Sequence, residues 1–188
     1  SFLIAIFRGM FFISISNPAE IKDAGLTLDI VGVIPQIDNT VEPFKDIKFE
    51  QSIENLILNL ETMISSNQAL GNDSTSKKIT FTSPTPQNGK SFISKNTSEL
   101  LANIGNKVLL IDADLKRGIQ HKLYNKESLE LDKFSDISLE NIESLKINEN
   151  LYLLPRLKKL KNTFEHLYSN SFVNKIKEFE SFFDYIII

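Results

Sequence analysis

Between Phe49 and Ser65 the apolar residues Ile53, Leu56, Ile57, Leu60, Met63 and Ile64 recur at intervals of three and four. That is the spacing of one stripe along a helix, and it predicts an amphipathic helix there. The polar stretch 67–76, which contains Gly71, breaks it. Lys78-Ile-Thr-Phe-Thr82 then alternates like a strand entering a loop. The pattern becomes regular beyond that point. A helix is predicted from about Ser91 to Ile104 with Gly105 as its stop, then a strand from Lys107 to Ile111 and helices near 119–124 and 138–146. A strand at Leu151–Pro155, a helix from about Ser171 to Phe182 and a strand from Tyr185 to Ile188 complete the series. Strands alternating with helices at this spacing predict parallel βαβ units, hence an α/β fold whose mostly parallel sheet is flanked by helices.

The first part of the chain follows a different pattern. Ser1-Phe-Leu-Ile-Ala-Ile-Phe-Arg8-Gly-Met-Phe-Phe-Ile-Ser-Ile15 is an apolar run with one cation, shorter than the roughly 20 residues a helix needs to cross a bilayer. The expectation for 1–15 is the cytoplasmic end of a truncated transmembrane helix, with Arg8 where the positive-inside rule places a cation. A buried helix or strand is the alternative. Asn17-Pro-Ala-Glu20 carries the cap, the first-turn proline and the acid of a helix start. Leu28–Ile34, β-branched and closed by Pro35, predicts a strand. Residues 36–48 have the composition of a linker, which makes 16–45 a membrane-proximal segment and 46–188 the main domain. The final run Phe183-Asp-Tyr-Ile-Ile-Ile188 is an apolar strand with no exit turn, and suggests a piece of a longer protein.

Composition narrows the chemistry. The 188 residues carry a net charge of −3 and an isoelectric point near 5.5. No global basic field recruits nucleic acid, so nucleic acid is not an expected partner. With no cysteine, disulfides, thiolate metal sites and cysteine nucleophiles are excluded.

The chemistry-bearing segment is Lys78-Ile-Thr-Phe-Thr-Ser-Pro-Thr-Pro-Gln-Asn-Gly89-Lys90-Ser91: a strand, a tight loop and a helix start. Such a loop aims successive backbone N–H groups, and the positive end of the helix dipole, at one spot where a polyphosphate fits. Lys90 would reach the outer phosphates and Ser91 would offer its hydroxyl to Mg²⁺. The position of a phosphate loop's first glycine is taken by Pro84, and Gly-Lys-Ser also occurs as an ordinary turn before a helix. The next strand, Val108-Leu-Leu-Ile111, runs into Asp112-Ala-Asp114-Leu-Lys-Arg117-Gly118. In a parallel sheet ligands gather at the carboxyl ends of strands, so both aspartates would emerge on the rim of the phosphate loop. One carboxylate can hold the metal and the other can accept a proton from an attacking hydroxyl. The structural alternative is that they only cap a helix or shape a turn.

The two segments together resemble the Walker A and Walker A′ motifs of bacterial tyrosine kinases. These form the cytoplasmic domain of polysaccharide co-polymerases, the chain-length determinants of capsule and exopolysaccharide. The order of the remaining features agrees: an apolar N-terminal run, Asn-Pro-Ala-Glu, Val-Gly-Val-Ile-Pro35, a helix before the phosphate loop, and Phe-Asp-Tyr-Ile-Ile-Ile188. The resemblance implies a P-loop NTPase-like fold that binds ATP and Mg²⁺, with Thr85, Pro86, Gln87, Asn88, Gly89, Lys90, Ser91 and Phe92 around the phosphates. It implies Lys90, Asp112 and Asp114 as catalytic residues, and Ser91 and Asp112 as metal ligands. It implies phosphoryl transfer to a tyrosine tail of the same or a neighbouring subunit, contact with the polysaccharide polymerase and export machinery, and a place at the cytoplasmic face of the bacterial inner membrane. In the family the last strand leads to a Walker B aspartate, and this chain stops just before it, so the stretch alone is expected to be crippled as an enzyme.

Three departures stand beside the resemblance. Gln87 occupies a position often glycine in the family, and Gln51, Glu54 and Ile57 stand where many members carry a Glu and two Arg that support ring assembly. The tyrosine-rich tail lies outside the sequence. A homo-oligomer remains an expectation, but not through that motif. The partitioning and septum-placing ATPases share the fold but have an extra lysine where Thr85 stands, which favours the kinase branch. The alternative is a non-kinase ATP-binding regulatory module of the same export machinery. A non-nucleotide scaffold is the third reading.

Elsewhere structural roles are expected. His121 and His166 are isolated, and Lys158-Lys159-Leu-Lys161 is a small solvated basic patch. Phe164, Phe172, Phe179, Phe182 and Phe183 read as core and helix-face residues. Tyr124, Tyr152, Tyr168 and Tyr185 have structural use by default, the second and fourth in predicted strands.

Overall fold

The computed structural model describes residues 29–37, 42–68, 76–83, 87–114, 118–127, 136–157 and 169–188. The N-terminal run 1–15, the helix start at Asn17, Thr85 and Pro86, Arg117, the lysines at 158–161, Phe164, His166 and Tyr168 lie outside the described residues. The chain divides into two compact units, Ser1–Leu60 and Glu61–Ile188.

In the first unit a short 3₁₀ turn, Pro43–Lys45, precedes helix α1, Ile47–Gln68, whose later residues belong to the second unit. Asp46 caps it: its carboxylate accepts from the backbone N–H of Lys48 at 2.9 Å and of Phe49 at 3.2 Å. The predicted helix is present; of its stripe Ile53, Leu56 and Ile57 are buried, Leu60 and Ile64 are half-buried, and Met63 is exposed. The strand predicted at 28–34 does not form over the described residues 29–34, which have no regular secondary structure. A strand needs a ladder partner, and here a helix takes that place. Asn59 Nδ2 donates to the carbonyl of Val31 at 2.6 Å, and Gly32 lies against Leu56 with its Cα hydrogens facing the Leu56 side chain.

The second unit is built on four parallel strands: β1 (Lys77–Ile79), β2 (Val108–Ile111), β3 (Leu151–Leu154) and β4 (Tyr185–Ile187), in the order β1-β4-β2-β3. Between them run α2 (Lys90–Asn103), the single turns α3 (Gln120–Leu123) and α4 (Leu139–Ser144), and α5 (Asn170–Phe179). The α/β expectation holds, and each predicted element of this unit is present with ends shifted by a few residues. α2 closes as a Schellman turn, Gly105 N–H to Ala102 O at 3.0 Å and Asn106 N–H to Leu101 O at 3.1 Å. Ser138 and Asn141 form a reciprocal capping box on α4, and Ser169 caps α5.

Alternation along the strands assigns the faces. Leu109, Ile111, Tyr152, Leu154 and Ile186 join Ile137, Ile142, Leu145, Ile176, Phe179 and Phe183 in one continuous core. Tyr152 and Phe183 meet edge to face at 5.2 Å between ring centres. α2 packs on β2 and β3, and its buried Leu101 and Ala102 stand outside that cluster. Every residue of β2, β3 and β4 is buried, as a parallel sheet covered on both faces requires.

Register places Lys77, Val108, Leu151 and Tyr185 in one row, so the strands start together and end together. At the starting row the Glu61 carboxylate accepts from both the Tyr185 hydroxyl and the Lys77 ammonium, and Lys77 Nζ also reaches the Tyr185 oxygen at 3.1 Å. Burial, then this carboxylate, raise the pKa of the Tyr185 hydroxyl. Glu61→Ala would strand two donors in a half-buried setting and is expected to cost about 1–2 kcal/mol in urea unfolding. An unchanged midpoint and slope would show that the cluster contributes nothing.

Candidate functional site

At the opposite end of the sheet the loops after β1 and β2 and the last residue of the chain surround a pocket of about 280 Å³. Its lining includes Thr80, Thr82, Lys90, Ser91, Asp112, Asp114 and Gln120. The sheet order produces this opening. β1 and β2 are separated by β4, so the two loops leave the sheet on either side of that strand, and a crevice remains between them.

The phosphate-loop segment approaches from β1. Gln87 and Gly89 have φ of +65° and +79°, left-handed backbone two residues apart, which turns the chain sharply into α2. Glycine takes that conformation freely, and a Cβ on Gly89 would meet nothing within 4 Å, so its requirement is conformational rather than steric. At Gln87 the same geometry is held by a residue with a Cβ, at a cost of about 1 kcal/mol, which gives a physical reason for glycine being common there in the resembling family. Among the described residues no side chain caps the start of α2, and the positive end of its dipole faces the crevice. The Lys90 ammonium folds back on the loop and donates to Ser83 Oγ at 2.9 Å. Gln87, Asn88 and Gly89 are exposed, and Phe92 is half-buried one turn into the helix.

From β2 come the aspartates, which occupy different environments. Asp112 is 6% exposed, and its carboxylate accepts from the backbone N–H of Gln120 at 2.9 Å and of Asp114 at 3.3 Å. Burial raises its pKa above the ordinary carboxylate range, against the lowering effect of those two N–H groups. Asp114 is exposed at the rim, and its carbonyl accepts from Gly118 N–H at 2.7 Å, which closes the turn. That turn brings Gly118 against Arg156: a Cβ would lie 2.7 Å from the Arg156 Cβ and Cδ and 3.0 Å from the Asp114 carbonyl. His121, half-buried on α3, stands within electrostatic reach of Asp112.

Of the residues expected at a site, Lys90, Ser91, Asp112 and Asp114 line one pocket, while Gln87, Asn88, Gly89 and Phe92 lie in the loop and helix that bound it. Gln120 and Ser94 also line it, and no motif at the sequence level pointed to them. Ser94 could have been found as the residue one turn after Ser91 on the same helical face. Gln120 carries no pattern signal. Tyr152 and Tyr185 are buried in β3 and β4, and Tyr124 is half-buried beneath the Lys95 ammonium, 5.0 Å from its ring centre.

Two predictions follow from the β2 loop. The folded chain holds the Asp112 proton more tightly than the unfolded chain, so stability falls as pH rises from the ordinary carboxylate range through the raised value. In urea unfolding between about pH 4 and pH 7, the wild type should lose this increment relative to Asp112→Asn; parallel pH curves would contradict the assignment. Gly118→Ala is expected to cost about 1–3 kcal/mol through the Arg156 and Asp114 contacts, read as a fall in melting temperature, and an unchanged value would show that the turn relaxes freely.

No family model matches the chain. It is 30% identical over 199 aligned positions to the tyrosine-protein kinase ptk of Acinetobacter johnsonii, an alignment that takes in 99% of this chain and 27% of that protein. It is 44% identical over 46 residues, 24% of the chain and 6% of the relative, to the tyrosine-protein kinase etk of Escherichia coli K12. The chain thus spans about a quarter of the length of the first of these relatives. In solved structures, the BceF tyrosine kinase domain superposes with a TM-score of 0.72 at 22% identity, over 94% of this chain and 76% of that one. The kinase domain of Escherichia coli ETK gives 0.72 at 18%, over 93% and 72%. In sequence the chain is similar to bacterial tyrosine-protein kinases, and it shares the fold of these solved domains.

Proposed function

We propose that the pocket binds Mg-ATP and that, in the complete protein, it transfers the γ-phosphoryl group to tyrosine. The observation that carries this reading is the convergence of Lys90, Ser91, Asp112 and Asp114 on one crevice beside an uncapped helix N-terminus. The N-terminal end of the α2 dipole and the ammonium of Lys90 supply the positive field that a polyphosphate requires. On nucleotide entry Lys90 would exchange Ser83 for the outer phosphates. Ser91 and Asp112 offer a hydroxyl and a carboxylate, the hard oxygen donors that suit Mg²⁺, which takes few protein ligands and completes its shell with phosphates and water. When bound, that ion neutralises charge on the phosphates. Asp114, exposed at the rim, would accept the proton of an incoming tyrosine hydroxyl. In the transfer the tyrosine oxygen forms a bond to the γ-phosphorus, the bond to the oxygen bridging the β-phosphate breaks, ADP leaves with the electron pair, and the tyrosine proton passes to the carboxylate.

The substrate tyrosines are assigned to a tail of the same or a neighbouring subunit, in a possible homo-oligomer. The biological setting is control of exopolysaccharide or capsule chain length at the cytoplasmic face of the inner membrane, with the N-terminal segment as tether and the polymerase and export machinery as partners. This setting rests on the family resemblance and on the relatives being tyrosine kinases. Among the described residues no helix is long and apolar enough to cross a membrane.

Isothermal titration of the chain with Mg-ADP tests the binding half. Sub-millimolar affinity is expected, with at least about a tenfold loss in Lys90→Ala, or 1.4 kcal/mol or more; a wild type that binds no nucleotide overturns the reading. A chain extended at its C-terminus and incubated with labelled ATP should place label on tyrosine. ATP that binds and stays intact would instead identify a regulatory nucleotide module.

A further inference from the structure

We infer that Gln120 is a positioning residue that locks the first turn of α2 to the Asp112 carboxylate, and that this lock sets the metal-dependent part of nucleotide affinity. The inference rests on the reading of the pocket as a Mg-nucleotide site.

Gln120 is 4% exposed and opens α3. Its backbone N–H donates to Asp112 Oδ2 at 2.9 Å. Its side-chain Nε2 donates to the Ser91 carbonyl at 3.0 Å and to Ser94 Oγ at 2.9 Å. One residue thereby holds the two proposed metal ligands, Ser91 and Asp112, in a fixed relation although they come from different strand–helix connections. The amide orientation follows from chemistry. A carbonyl can only accept, so the nitrogen must face Ser91, and Oε1 is directed away from it. That Oε1 is buried and meets no hydrogen-bond donor among the described residues.

An unsatisfied buried oxygen costs about 1–3 kcal/mol, a penalty that a leucine of similar volume would avoid. Polar groups that incur such a cost cluster where geometry rather than stability is required. Side chains that orient metal ligands from behind are worth about 10- to 100-fold in metal affinity. Gln120 stands behind both: its backbone N–H meets the Asp112 carboxylate, and its side chain holds the main chain that carries the Ser91 hydroxyl. Ser94, itself buried on α2, forms the second anchor of the lock.

The test is ADP titration of the 188-residue chain with and without Mg²⁺, for the wild type and Gln120→Met, which keeps the volume and deletes both amide donors. The gain in ADP affinity on adding Mg²⁺ should fall at least about tenfold in the variant, a larger loss than metal-free ADP affinity shows. A loss shared equally by both conditions marks a merely structural role and overturns the inference, as does an unchanged magnesium gain. If Gln120→Met does not fold, Ser94→Ala decides. A loss of about threefold confined to the magnesium gain supports the lock, and no loss overturns it. A wild type that binds ADP without any magnesium gain defeats the inference alone. A wild type that binds no ADP removes the nucleotide reading, and the inference with it.

Discussion

A carboxylate taken out of water at the tip of a central strand constrains everything around it. Burial raises the pKa of Asp112, and its carboxylate recovers part of that cost by accepting backbone N–H groups, for which the chain curls back to present residues 114 and 120. The curl is tight enough that residue 118 has no room for a side chain against Arg156. The same curl delivers Gln120 to α2. The turn, the glycine and the helix contact are consequences of satisfying one buried acid, and the energetic cost of that acid is reason to look for a ligand it serves.

The sheet supplies the other half of the arrangement. Since β4 is inserted between β1 and β2, the chain must leave β1, cross through α2 and return one position further along. The connection begins with a left-handed bend at Gln87 and Gly89 and enters a helix with no side-chain cap. The N-terminus of α2 and a lysine face the crevice from one side and carboxylates from the other, the pairing of fields that a metal-bound polyphosphate requires. The Glu61, Lys77 and Tyr185 cluster lies at the opposite end of the strands, where it ties the end of α1 to the sheet without touching this chemistry.

Much of this was legible in the sequence wherever one physical effect dominated. The four buried residues of β2 could be nothing but a covered strand, and an aspartate at its end had to sit on the sheet's carboxyl rim. α2 was readable from its glycine stop, and the loop before it from Gly89-Lys90-Ser91. Residues 29–34 misled because β-branched, apolar composition describes a strand's side chains and says nothing of a partner for its backbone; Asn59 and Leu56 of a helix took that role. Gln120 escaped notice for a related reason. Its importance lies in which atoms it meets across the fold, a long-range fact with no periodic or compositional trace. The positive φ at Gln87 was hinted at only by its standing where glycine is common in the resembling family.

The central claim is that the loop after β1 and the loop after β2 form a single phosphate site. Backbone amide NMR of the chain during titration with Mg-ADP tests it directly. The account predicts that the amides of residues 88–92 and of 112–114 shift together along one saturation curve. Shifts confined to one of these segments, or centred elsewhere in the molecule, would contradict it.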